Sequence, residues 1–90
     1  MIQFINNDNQ YKEWTKNNPD GFVVNSYKEP SSKYLILHKA SCYTITELKG
    51  NAKSFTNEYR KTCSENLDEL DNWAKNDIGG ELCRCRKCFK

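Results

Sequence analysis

The sequence predicts a small α+β domain in which two helices cover a three-stranded antiparallel sheet and a C-terminal knuckle closes the fold. Three observations carry that expectation. β-Branched and aromatic runs at Phe22-Val23-Val24 and Tyr34-Leu35-Ile36-Leu37-His38 are separated by turn-forming residues. Leu67, Leu70, Trp73 and Ala74 recur at three- and four-residue steps, the period of a helix with one apolar stripe. Soft donors fall in two couples at ligand spacing, His38 with Cys42 and Cys85 with Cys88.

Taken in order, a first helix is expected over about residues 9–17. Asp8 is positioned to cap it, Tyr11, Trp14 and Thr15 share one face, and Asn18-Pro19-Asp20-Gly21 supplies the stop. A strand then runs from Phe22 to near Tyr27. Glu29-Pro30-Ser31-Ser32 turns the chain into a second strand ending at His38, so the two pair as a hairpin. Alternation places Tyr34, Ile36 and His38 on one face and Leu35 and Leu37 on the other, and both faces must then be partly covered. Lys49-Gly50-Asn51 marks a loop, and Tyr59 through Cys63 reads as a third strand added to the hairpin. Ser64 or Asn66 caps the second helix, Gly79-Gly80 ends it, and the tail returns to the end of strand two.

Ninety residues make one domain over residues 1–90, near the size at which apolar burial only just outweighs conformational entropy. A staple is useful there: structural zinc contributes on the order of 10 kcal/mol of folding free energy in small modules. The start, Met1-Ile2-Gln3-Phe4-Ile5-Asn6-Asn7-Asp8, carries neither a basic leader nor a long apolar run, and nothing later reaches membrane-spanning length, so no membrane association and a cytoplasmic location are expected. In a reducing compartment five cysteines are not expected to form disulfides, and an odd count leaves one unpaired in any case.

His38, Cys42, Cys85 and Cys88 therefore read as a closed Cys3His zinc site. A two-residue gap lets a tight turn aim both thiolates of Cys85 and Cys88 at one ion, and a three-residue gap sets the His38 imidazole and the Cys42 thiolate on one side of a strand end. Such a set leaves no position for a catalytic water, so the metal is structural. One imidazole with three thiolates in two distant couples suits zinc better than an iron–sulfur cluster. Cys63 has no partner at ligand spacing and reads as a core residue. Cys83 could replace either knuckle cysteine, but alternation points it away from Cys85.

Net charge is only +2, yet the tail is locally basic: Arg84, Arg86, Lys87 and Lys90 surround the knuckle without an acidic neighbour. With Lys39 beside His38, these cations suit a phosphate backbone, and Arg60 and Lys61 would extend the patch if strand three lay next to strand two. No helix rich in Arg, Asn or Gln is present for base readout. The reading is a nucleic-acid-binding zinc module without base specificity. The alternative is a protein-interaction adaptor or inhibitor, related to phage or defence systems, with Tyr11, Trp14, Tyr27 and Tyr34 as aromatic anchors. An enzyme is not expected: there is no Gly-rich phosphate loop and no Ser-His-Asp set, and the sole histidine is committed to metal.

The stretch Tyr34-Leu35-Ile36-Leu37-His38-Lys39-Ala40-Ser41-Cys42, with Cys85-Arg86-Lys87-Cys88 downstream, resembles the His-x3-Cys plus basic Cys-x2-Cys pattern of Ada-like metal-binding modules, which occur in DNA-repair and nuclease-associated proteins. That likeness is confined to the ligand pairs. The whole chain is closer to a group of small prokaryotic zinc-module proteins, of uncharacterised activity, with an aromatic N-terminal helix, Asn-Pro-Asp-Gly-Phe-Val-Val-Asn, a Leu-His-x3-Cys strand, a Tyr-x3-Cys strand and a terminal Cys-x2-Cys. The resemblance implies a metal-stapled α+β module and no particular activity.

Overall fold

The computed structural model describes residues 1–48, 50 and 52–89. The chain forms β1 (Ile2–Phe4), α1 (Asp8–Asn17), β2 (Phe22–Tyr27), β3 (Leu35–Lys39), a single turn α2 (Tyr43–Thr46), β4 (Tyr59–Ser64), α3 (Leu67–Trp73) and β5 (Cys83–Arg84). The last turn of α3 widens into a π-turn over Ala74–Ile78. One sheet joins all the strands in the order β1-β4-β2-β3-β5.

The α+β class holds, while the three-stranded antiparallel sheet needs correction. The sheet has five strands and is mixed, because β5 runs parallel to β3 through Ile36–Cys83 and Leu37–Arg84 pairs. Among the described residues three helices stand where two were expected. The Tyr59 strand also joins the hairpin from the other side: β4 pairs with β2, Val23 opposite Cys63 and Tyr27 opposite Tyr59, and so lies away from β3. Arg60 and Lys61 consequently cannot extend a patch beside Lys39. Arg60 is tied to Lys28 O and Gln3 Oε1 at 2.9 and 2.8 Å, and Lys61 is buried.

Neighbouring residues of β2 show how the sheet is covered. Val23 joins Phe4, Tyr11, Ile45, Phe55 and Cys63 on the face that carries α1, whereas Val24 joins Leu35, Leu37, Leu70, Trp73 and Ala74 on the face that carries α3. Successive strand residues point to opposite faces, so each helix has its own small core and the sheet lies between them. Of the predicted stripe, Leu70 and Trp73 on α3 and Ala74 at the start of the π-turn are buried, and Leu67 is half-buried.

Caps and turns locate the ends. Asn7 caps α1, its side chain accepting from Gln10 N at 3.3 Å, in place of Asp8. Asn66 caps α3 by accepting from Asp68 N at 2.9 Å. Gly79 follows in the left-handed region at φ 78° and Gly80 N donates to Ala74 O at 2.9 Å, which ends the helix and sends the chain toward β5. Among the described residues no helix is long and apolar enough to cross a membrane.

Candidate metal centre

The end of β3 and the C-terminal knuckle meet at one point. His38 is on the α1 face of β3, one residue before the strand ends; Ala40 N bonds to Gly21 O at 2.9 Å and Cys42 N to Lys39 O at 2.9 Å, which curls the chain and turns Cys42 back under the sheet. From the other end, Cys85 N donates to Leu37 O at 2.9 Å and Phe89 N donates to Cys85 O at 3.0 Å, so β5 runs directly into a tight turn carrying Cys85 and Cys88. One ligand atom from each of His38, Cys42, Cys85 and Cys88 falls within 4.8 Å of the others, a group that can hold a metal ion.

The spacing inside the group is close to that of a coordinated set. Cys42 Sγ and Cys85 Sγ are 4.0 Å apart; two thiolates each about 2.3 Å from a tetrahedral ion stand about 3.8 Å apart. His38 and Cys42 are buried and the knuckle thiols half-buried, so the centre faces the core on one side and the surface on the other. None of the five cysteines is in a disulfide. Cys83 is exposed and outside the group, and Cys63 is fully buried under α1.

Backbone N–H groups pointing at Cys85 and Cys88 favour the charged forms of these thiols. Lys87 N points at Cys85 Sγ from 3.4 Å and Lys39 N at Cys88 Sγ from 3.3 Å, the arrangement expected around thiolates that share one cation. Against the upward push of partial burial, the Lys87 and Cys88 N–H groups and the Thr44 hydroxyl hold the Cys85 thiol below its ordinary range. Burial pushes Cys88 up to about 11, so this thiol needs a bound cation to ionise near neutral pH. Burial, with the charge of Lys61 adding to it, brings His38 down to about 4, which keeps the imidazole neutral and available as a ligand.

Thr44 is a residue that spacing did not single out. Its Oγ1 is 2.9 Å from Cys42 Sγ, 3.2 Å from His38 Nδ1 and 3.9 Å from Cys85 Sγ, so one hydroxyl touches three members of the group. Only its place two residues after Cys42 could have hinted at this. Tyr11 supports the same loop from below: its hydroxyl donates to Ile45 O at 2.6 Å, and burial raises its pKa strongly.

The basic residues divide. Lys39, Arg84, Arg86 and Lys87 are all exposed at this end of the molecule, and Lys39 Nζ and the Arg84 guanidinium lie 5.4 and 5.3 Å from the centroid of Phe89. Phe89 itself stacks on Phe22 with centroids 6.4 Å apart. Lys90 lies outside the described residues. Of the proposed aromatic anchors, Tyr11 is fully buried and unavailable to a partner, Trp14 and Tyr34 are half-buried, and Tyr27 is exposed.

Compared with known proteins, the chain has no significant match to a family model, a curated protein or a solved structure. The reading of function therefore rests on the geometry of this chain.

Proposed function

We propose that the chain is a structural zinc module whose knuckle end binds nucleic acid through the phosphate backbone. Three thiolates and one imidazole in a closed group suit tetrahedral Zn2+, and four protein ligands leave no open position for chemistry, so the ion's role is to hold β3 to the C-terminal knuckle.

The observation that carries the nucleic-acid reading is the convergence of Lys39 and Arg84 on the Phe89 ring, next to Arg86 and Lys87 on the knuckle turn. Zn2+ with three thiolates and a neutral imidazole carries one net negative charge, which a single neighbouring cation offsets. These exposed cations exceed that need. Exposed cations grouped at one end of the molecule suit a phosphate backbone, a mode tolerant of sequence.

Titration of labelled single-stranded and duplex DNA across a salt series tests the reading. Affinity should fall linearly on a log–log plot against salt, and Arg84→Ala or Lys39→Ala should each flatten the slope by about 0.7 for single strands or about 0.9 for duplex. Absence of binding even at low salt contradicts it.

A second reading, a protein-interaction adaptor, is favoured by one feature at the opposite end of the sheet. Tyr27, Tyr34 and Tyr59 form a three-ring cluster, with Tyr27 stacked on Tyr34 and on Tyr59 at 5.0 and 6.4 Å between centroids, and both Tyr27 and Tyr59 are exposed. Such rings can anchor a protein partner. A pull-down in which Tyr27→Ala and Tyr59→Ala together remove a partner, while Arg84→Ala does not, would favour the adaptor.

A further inference from the structure

The face of the sheet that carries α1 and the metal loop opens at its far end into a pocket of about 410 Å3. Asn25, Tyr59 and Lys61 form its floor on the sheet, Thr44 and Ile45 wall it from α2, and Phe55 closes another side. A volume of several hundred Å3 is that of a small-molecule site.

Lys61 makes this pocket unusual. The residue is 4% exposed, and its Nζ donates to Asn25 Oδ1 at 2.6 Å and to Phe55 O at 2.8 Å, acceptors that are both uncharged. The rings of Tyr11 and Tyr59 lie 5.9 and 5.7 Å from the same ammonium. Asp8, whose charge reaches Lys61, spends its carboxylate on Phe55 N, Thr56 N and Thr56 Oγ1. Among the described residues, no carboxylate forms an ion pair with Lys61. A buried cation on a pocket wall, touched directly only by dipoles and ring faces and with its nearest carboxylate charge already bonded elsewhere, can take an anion as a contact counter-ion.

We propose that this pocket binds a small planar organic carboxylate, with the Lys61 ammonium as its counter-ion. The net charge of the ligand follows from the rim, where Glu47 and Glu58 line the mouth together with Lys53. One buried ammonium matches one negative charge, and those two carboxylates disfavour a dianion such as a phosphate monoester. The planar, partly apolar body follows from Tyr59, Ile45 and Phe55, which offer ring and alkyl surface to whatever the ammonium holds. The pocket shares Thr44 with the metal group, but none of the knuckle cations nor Phe89 lines it, so the proposal does not rest on nucleic-acid binding.

The test is an amide NMR titration of the full chain, in its metal-loaded form, with benzoate and its neutral isostere benzamide. Benzoate should shift the amides of Asn25, Phe55, Tyr59 and Lys61 saturably, and at least about tenfold more tightly than benzamide, because the charge-assisted contact is lost in the amide. Lys61→Gln keeps two donors and removes the charge, so it should abolish the preference for benzoate. Tyr59→Ala, at an exposed ring that the core does not need, should weaken both probes alike. Equal response to benzoate and benzamide, no saturable response, or inorganic phosphate binding as tightly as benzoate would each overturn the proposal. The wild-type comparison decides even if Lys61→Gln fails to fold.

Discussion

Asp8 begins α1, but its carboxylate is turned away from the helix end and across to the segment before β4. It accepts from Phe55 N at 3.0 Å, Thr56 N at 2.9 Å and Thr56 Oγ1 at 2.6 Å, and although partial burial pushes its pKa up, these donors and Lys12 hold it below the usual carboxylate range. Asp8→Ala should therefore lower unfolding free energy by about 1.5–3 kcal/mol, the range for hydrogen bonds to a charged group, in a denaturant titration. A loss below about 0.5 kcal/mol would mean that water replaces the carboxylate. His38 makes a second prediction at this scale. Burial brings it down to about 4 from an ordinary 6.5, so between those values the folded chain binds fewer protons than the unfolded one. In the metal-free chain its contribution, about 3 kcal/mol, is present above pH 6.5 and is lost as pH falls toward 4. Metal release runs in the same direction, because protons compete for the thiolates. Acid titration of far-UV circular dichroism alongside metal content should show both changes in that window.

Among the elements, those with a period long enough to read were legible. β2 and β3 follow from their β-branched runs and the Pro30 turn, and α3 follows from its three- and four-residue stripe. β1 and β5 are three and two residues long, too short for alternation to register, and exist because β4 and β3 offer free edges for them to pair with. The side on which β4 joins the hairpin is likewise a matter of packing. Tyr59 and Lys61 become the floor of a pocket only because β4 pairs with β2, so neither the pocket nor the isolation of Lys61 from the basic knuckle could be read from local pattern. The ligand couples were legible because their geometry is local, and Thr44 was not because its three contacts join the β3–α2 loop to the distant knuckle. The π-turn after α3 supplies a prediction of its own. A Cβ on Gly80 would stand 2.9 Å from both Ser32 Cα and Ser32 Cβ in the hairpin turn, so Gly80→Ala should cost about 1–3 kcal/mol in thermal unfolding by forcing that turn aside.

At the scale of the whole molecule, two small cores lie on either side of one sheet, and the metal group ties the loop after β3 to the knuckle after β5. Cys42 and Cys85 are 43 residues apart in sequence, so an ion shared between them would close a long loop. Cys63 belongs to the α1-face core without belonging to the group: it is fully buried, and burial pushes its thiol up to about 12. The two cysteines thus separate the staple from the packing. Zinc-to-protein ratio measured on wild type, Cys88→Ser and Cys63→Ser tests the account most directly. It predicts one zinc per wild-type chain, loss of zinc and of cooperative unfolding in Cys88→Ser, and an unchanged ratio in Cys63→Ser at a stability cost of about 1–3 kcal/mol. A full zinc complement in Cys88→Ser, or its loss in Cys63→Ser, would contradict it.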